Sequence, residues 1–192
     1  MAQISIVYFS GYGHTQKQAE AVEQGATSVN GSTVTMIKIP EDGSISDDAW
    51  DTLAASDAIV YGSPTYMGGP AWQFKKFADE SSKPWFTQVW KDKIAGGFTT
   101  SASLNGDKGT TINYFMTFSQ QHSQIWVGTG LMPSNTKAHG PDDINWTAGM
   151  SGALAIAPSD ASPDEAPRKG DLETAKLYGV RLAEYTLKMA TN

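Results

Sequence analysis

The stretch Ile4-Ser5-Ile6-Val7-Tyr8-Phe9-Ser10-Gly11-Tyr12-Gly13-His14-Thr15 decides how the chain is read. Its first six residues are mostly β-branched or aromatic and describe a short buried strand, and Ser10 to Gly13 make a turn. From Thr15 onward, Ala19, Val22, Ala26 and Val29 recur at helical spacing and share one face, with Asn30-Gly31 as the stop. The unit is strand, loop, helix, and its loop holds Ser10, Tyr12 and Thr15 hydroxyls and two glycines but no Lys or Arg.

The same alternation continues along the chain. Val34 to Ile39, Ala58 to Gly62, Ile94 to Thr99 and Ile125 to Gly128 read as strands. Asp47 to Ser56, Ala71 to Glu80, Thr110 to His122 and about Asp171 to Met189 read as helices, the last burying Leu172, Ala175, Gly179, Leu182 and Thr186. Short apolar strands alternating with helices predict an α/β doubly wound domain: a five-stranded parallel sheet with helices on both faces. Two segments interrupt this rhythm. Thr129 to Gly152 is rich in Gly, Pro, Asn and Asp, and Pro158 to Lys169 carries several prolines and charges, so both are expected as ordered loops near a site or an interface.

Composition narrows the function classes. With 192 residues and 40% apolar content, a single domain spanning 1–192 is expected. A formal charge of −6 and no clustered Lys or Arg argue against a nucleic-acid partner. The absence of cysteine excludes disulfides, thiolate metal sites and cysteine nucleophiles, so redox chemistry needs a bound cofactor. No run approaches the ~20 apolar residues of a membrane span, and no signal-like segment opens the chain; a cytoplasmic protein is the expectation. His139, with Asp142 and Asp143 nearby, lacks a recognisable ligand spacing, so no metal site is expected.

In an open parallel sheet, ligands bind outside the carboxyl ends of the strands. Three loops there are informative. Ser10 to Thr15 can hold an anion on backbone amides and a helix amino-terminus without a cationic side chain. It lacks the Gly-Lys-Ser/Thr ending of a Walker loop, and Gln16 breaks the G-x-G-x-x-G pattern. Read alone, it is equally a tight turn capped by Ser10 or Thr15. Ser63 to Pro70 pairs glycine-freed backbone with Tyr66, which suits the edge and face of a planar ring. Thr100 to Gly106 is built of small polar residues whose backbone can approach such a ring closely.

These loops resemble those of the flavodoxin superfamily, and within it the WrbA-like NAD(P)H:quinone oxidoreductases, over nearly the whole chain from Ile4 to about Lys188. The resemblance implies the strand order 2-1-3-4-5. It also implies that Ser10, Gly11, Tyr12, Gly13, His14 and Thr15 wrap the phosphate of FMN. Pro64, Thr65, Tyr66, Met67 and Gly68 would lie under the isoalloxazine, and Thr100, Ser101, Ala102, Ser103, Leu104 and Asn105 would meet the ring and ribityl chain. Trp85, with Tyr12, would bind a flat quinone beside the flavin; the alternative for Trp85 is a partly buried core aromatic next to Phe86 and Trp90. His122, or Gln121 if the register slips, would sit near the ring. Two features depart from the family: the third loop is Ser-Ala-Ser-Leu-Asn-Gly rather than glycine-dense, and Pro40 to Asp57 is shorter than in the tetrameric members, leaving a homodimer or a homotetramer open. Pro133 to Trp146 is either a lid over the site or an ordinary surface loop.

The implied function is transfer of electrons from NAD(P)H to quinones or similar flat acceptors by alternating half-reactions, with the flavin carrying the chemistry. A flavodoxin-type carrier serving a protein partner without NAD(P)H turnover is the alternative, and an FMN-binding regulatory or scaffold protein a third.

Overall fold

In the computed structural model, which describes residues 1–190, the elements follow one another as β1 (Ala2–Tyr8), α1 (His14–Thr27), β2 (Ser32–Lys38), α2 (Asp47–Ala55), β3 (Ala58–Tyr66) and β4 (Gly69–Pro70). Then come α3 (Trp72–Glu80), α4 (Ser82–Thr87), β5 (Ile94–Ser101), α5 (Lys108–Gln121), β6 (Ile125–Trp126), β7 (Ala153–Ile156) and α6 (Lys169–Ala190). β1 pairs in parallel with β2 on one side and β3 on the other, and β5 lies beyond β3. The expected order 2-1-3-4-5 is observed, with one difference. The fifth position is shared by two pieces: β6 runs beside Ile94 and Ala95, and β7 beside Phe98 to Ser101, both parallel to β5.

Burial on both faces explains the nearly unbroken apolar runs of the central strands. On one face Ile4, Ile6, Val60 and Phe98 pack against α1 and α6 through Val22, Ala26, Tyr178 and Leu182. On the other, Val7, Ile59, Tyr61 and Ala95 pack against α2, α3 and α5 through Leu53, Phe74, Phe77, Phe115 and Phe118. α1 and α6 approach backbone to backbone where Gly25 faces the Lys176 carbonyl and Gly179 faces the Val22 carbonyl; an added Cβ at either would collide with that oxygen. Tyr178 anchors α6 to the sheet, its hydroxyl accepting from Gly97 N at 3.2 Å and donating to the Val127 carbonyl.

Several boundaries differ from the sequence reading. β3 continues past Gly62 through Pro64 to Tyr66, because at Ser63 and Pro64 it pairs with β5 alone, so the missing Pro64 N–H interrupts no ladder with β1, and Thr65 and Tyr66 then pair with β4. The strand expected over Ile125 to Gly128 stops at Trp126, and β7 and the short α4 were not anticipated. In α6, Leu172 is only half-buried, and Tyr178 takes the core position that the expected stripe omitted. Pro133 to Trp146 folds back onto α6: Asn145 N donates to Thr174 Oγ1 at 2.7 Å, and Asp143 abuts Gly170.

Candidate functional site

At the carboxyl edge of the sheet the three loops converge on one cleft of about 480 Å³, within the ~300–1,000 Å³ typical of small-molecule sites. The loop after β1 contributes Tyr12, His14 and Thr15; that after β3, Pro64 and Tyr66; that after β5, Thr100, Ser101 and Ala102.

The first loop is shaped by Ser10, whose Oγ accepts from Gly13 N at 3.2 Å and Gln16 N at 3.1 Å. Gly13 carries φ +91°, and a Cβ there would meet Pro163 Cγ at 2.6 Å. Among the described residues, the amides of Tyr12, His14 and Thr15 donate to no group of the chain. Unpaired amides at the head of a long helix are an anion cradle, with the macrodipole adding to the field. Tyr66 lies over Gly11, whose added Cβ would meet its hydroxyl at 2.8 Å, and Tyr12 meets the Tyr66 ring edge-on with centroids 6.4 Å apart. The cradle for an anion thus leads into an aromatic wall suited to a planar ring.

Buried polar bonds hold these loops in register. Gln18 of α1 accepts from Thr100 Oγ1 at 2.8 Å and donates to the Ala153 carbonyl at 3.1 Å, tying the first helix to the third loop and to β7. Thr65 Oγ1 bonds Thr99 Oγ1 and Thr111 Oγ1, each at 2.8 Å, and Ser63 Oγ accepts from Ala71 N at 2.9 Å. Asp171, at the head of α6, accepts from Ile156 N at 2.8 Å, and burial pushes its carboxyl up to about 6.

The predicted residues do not all reach the cleft. Thr65 is buried beneath it. Met67 and Gly68, with φ +48° and +78°, form the tip of the β3–β4 hairpin, the left-handed pair that a two-residue turn requires, and Met67 is fully exposed. Ser103, Leu104 and Asn105 lie on the solvent side of the third loop. His122 and Trp85 correct the sequence reading outright: they lie at the other end of the sheet. His122 follows α5 and precedes β6, which starts beside the first residue of β5, so it belongs to the amino-terminal edge. There it is 2% exposed, its ring centroid 4.3 Å from that of Trp90. Ser81 Oγ donates to the Ala78 carbonyl and accepts from His122 Nε2 at 2.9 Å, and burial pulls the imidazole down to about 4. Trp85, on α4, lines a separate recess of about 310 Å³ with His122 and Gln121, so shifting the reading by one residue does not restore it.

A fourth segment joins the three loops, at the start of the 158–169 loop expected near a site or an interface. Ala157, Pro158, Ser159 and Ala161, following β7, close one side of the cleft, and the Ala161 carbonyl accepts from His14 Nε2 at 2.9 Å. The proline-rich composition of 158–169 marked this loop, but only the unrecognised β7 brings it to the carboxyl edge. The 133–146 segment contributes no residue to the cleft lining. Among the described residues there is no cluster of His, Asp and Glu suited to a metal ion, and no helix is long and apolar enough to cross a membrane.

The model of the NADPH-dependent FMN reductase family matches residues 38–136, just over half of the chain. Flavodoxin FldP of Pseudomonas aeruginosa is 48% identical over 183 residues, covering 95% of this chain and 96% of that protein. An NAD(P)H dehydrogenase (quinone) of Trichlorobacter lovleyi is 29% identical over 209 residues, covering 98% and 99%. Among solved structures, a flavodoxin, WrbA-like protein from Agrobacterium tumefaciens superposes with a TM-score of 0.78 at 43% identity, covering 98% of this chain and 99% of that one.

Proposed function

This chain belongs to the flavodoxin-like, WrbA-related family of FMN-binding proteins, and from that premise we propose that it carries electrons from NAD(P)H to quinones or similar flat acceptors in alternating half-reactions. The observation that carries this reading is the cleft itself: free amides at a helix head on one side, and on the other an aromatic wall whose outer member, Tyr12, is 76% exposed. A ring held there keeps a face open to a diffusible partner.

Ser10, Gly11, Gly13, His14 and Thr15 are assigned to the FMN phosphate, which neutral donors and the α1 dipole bind without a counter-cation. Pro64, Tyr66, Thr100, Ser101 and Ala102 are assigned to the ring. Bound FMN supplies the hydride and electron chemistry, while the chain orients the ring and shields one face from water. Tyr12 offers its exposed face to the flat substrate. No acid or base from the chain is required, since the reduced acceptor takes protons from solvent.

The test is to mix the protein with FMN, NADH or NADPH, and benzoquinone, and to follow nucleotide oxidation. FMN-dependent turnover with parallel double-reciprocal plots is expected. Failure of FMN to bind at high micromolar concentration overturns the site assignment. A second reading, an electron carrier for a protein partner, is favoured by the 48% identity to a protein named as a flavodoxin, and it gains if FMN binds but neither nucleotide is consumed.

A further inference from the structure

The third loop reads Ser101-Ala102-Ser103-Leu104-Asn105, and its shape is fixed from behind by a side chain with no role in the site so far. Lys108, in the first turn of α5, is 1% exposed. Its Nζ donates to Ser101 Oγ at 2.9 Å, to the Ser103 carbonyl at 2.8 Å and to the Leu104 carbonyl at 2.9 Å. All three ammonium protons are thereby used.

Three physical terms oppose a cation at this position. It is buried, and lysine is almost never fully buried without a paired charge. It stands at the positive end of a helix. Among the described residues, the ion pairs are Lys17–Asp164, Lys75–Asp79 and Lys76–Glu80, so no carboxylate contacts Lys108. Asp171 acts on it only through space, and Asp107, its chain neighbour, faces solvent. Burial pulls the ammonium down to about 8, which leaves it charged at pH 7. Neutral oxygens satisfy its protons but leave the charge without a contacting counter-ion, one side chain away from a cleft that Ser101 lines. A ligand that gains negative charge in the cleft would supply the missing compensation.

We propose that Lys108 is a positioning residue for the flavin: it clamps the loop whose Ser101 and Ala102 line the cleft assigned to the ring, and its charge favours the reduced ring over the oxidised one. Hydride transfer adds two electrons and one proton, so the ring gains one negative charge, which the ammonium stabilises. The inference rests on the cleft being the FMN site.

The experiment measures FMN dissociation constants by fluorescence and midpoint potentials against reference dyes, for the wild type, Lys108→Gln and Lys108→Met. Lys108→Gln keeps a donor for the loop carbonyls. It is expected to hold oxidised FMN within a few-fold of wild type while losing about tenfold in preference for reduced FMN, a fall of about 30 mV for a two-electron couple. Lys108→Met is expected to weaken FMN binding as well. Unchanged potentials in both variants overturn the proposal. Failure of the wild type to bind FMN overturns the cleft assignment instead, and the two failures are thus distinguishable. Should neither variant fold, the wild type decides: the Lys108 Cε resonance, titrated with oxidised and then with reduced FMN bound, is expected to show a higher pKa in the reduced state, because the coupling is reciprocal. An identical titration in the two states overturns the proposal.

Discussion

Single residues at the two ends of the sheet have opposite duties. Gly13 adopts φ +91° against Pro163, so Gly13→Ala imposes a left-handed alanine, costing about 1–2 kcal/mol, together with a clash. Urea unfolding is expected to show that loss, and FMN titration at least a tenfold weaker affinity; an unchanged dissociation constant would mean that the loop does not hold the phosphate. His122, at the amino-terminal edge, serves the fold. Its imidazole is held neutral down to about pH 4, whereas the unfolded chain takes up a proton near pH 6.5. Its contribution is therefore present above pH 6.5 and lost as pH falls toward 4. Asp171 acts in the opposite sense: its folded value near 6 exceeds the unfolded 3.8, so the folded state gains stability as pH falls across that interval. The comparison must be differential. His122→Asn is expected to lose less stability than wild type between pH 6.5 and 4, and parallel curves would refute a buried neutral imidazole. At this scale the sequence was legible where structure is local, as in the strand-to-helix turn of Ser10 to Thr15, which does reach the cleft. It misled where a residue's place depends on chain direction: α5 runs from the carboxyl edge to the amino edge, so whatever follows it, His122 included, is carried away from the cleft.

Among the elements, the α1–α6 contact makes the sharpest demand on sequence. Gly25 and Gly179 allow backbone contact between two long helices, so Gly179→Ala is expected to destabilise the fold by about 1–3 kcal/mol through overpacking. Helix propensity alone would favour the substitution by about 1 kcal/mol, so the sign of the measured change separates the two effects. Tyr178→Phe leaves Gly97 N and the Val127 carbonyl without their shared hydroxyl and is expected to cost about 1–3 kcal/mol by denaturant unfolding. The long periodic helices and the apolar strands β1, β3 and β5 were readable because burial on one face or both writes a repeating pattern. β7 was not: its four residues stand after a long irregular stretch, and only pairing with Phe98 to Ser101 makes them a strand. The prolines of 158–169 marked a loop near a site or an interface, but its place as the fourth wall of the cleft follows only from that pairing.

For the molecule as a whole, FMN is a ligand of the folded state alone. At a hundredfold excess over its dissociation constant it should add about 2.7 kcal/mol, which for a chain of this size raises the melting temperature by roughly 5–10 °C. Calorimetry with and without FMN checks this, and the shift should shrink in Gly13→Ala. An unbroken outer strand is an open row of donors and acceptors on which a neighbouring chain can polymerise. Here that border holds two residues in β6 and four in β7, set apart by the segment that folds back onto α6. Neither piece is long enough to template a fibril, so the division of the strand, whose second piece leads into a wall of the cleft, also guards the protein against self-assembly along that margin.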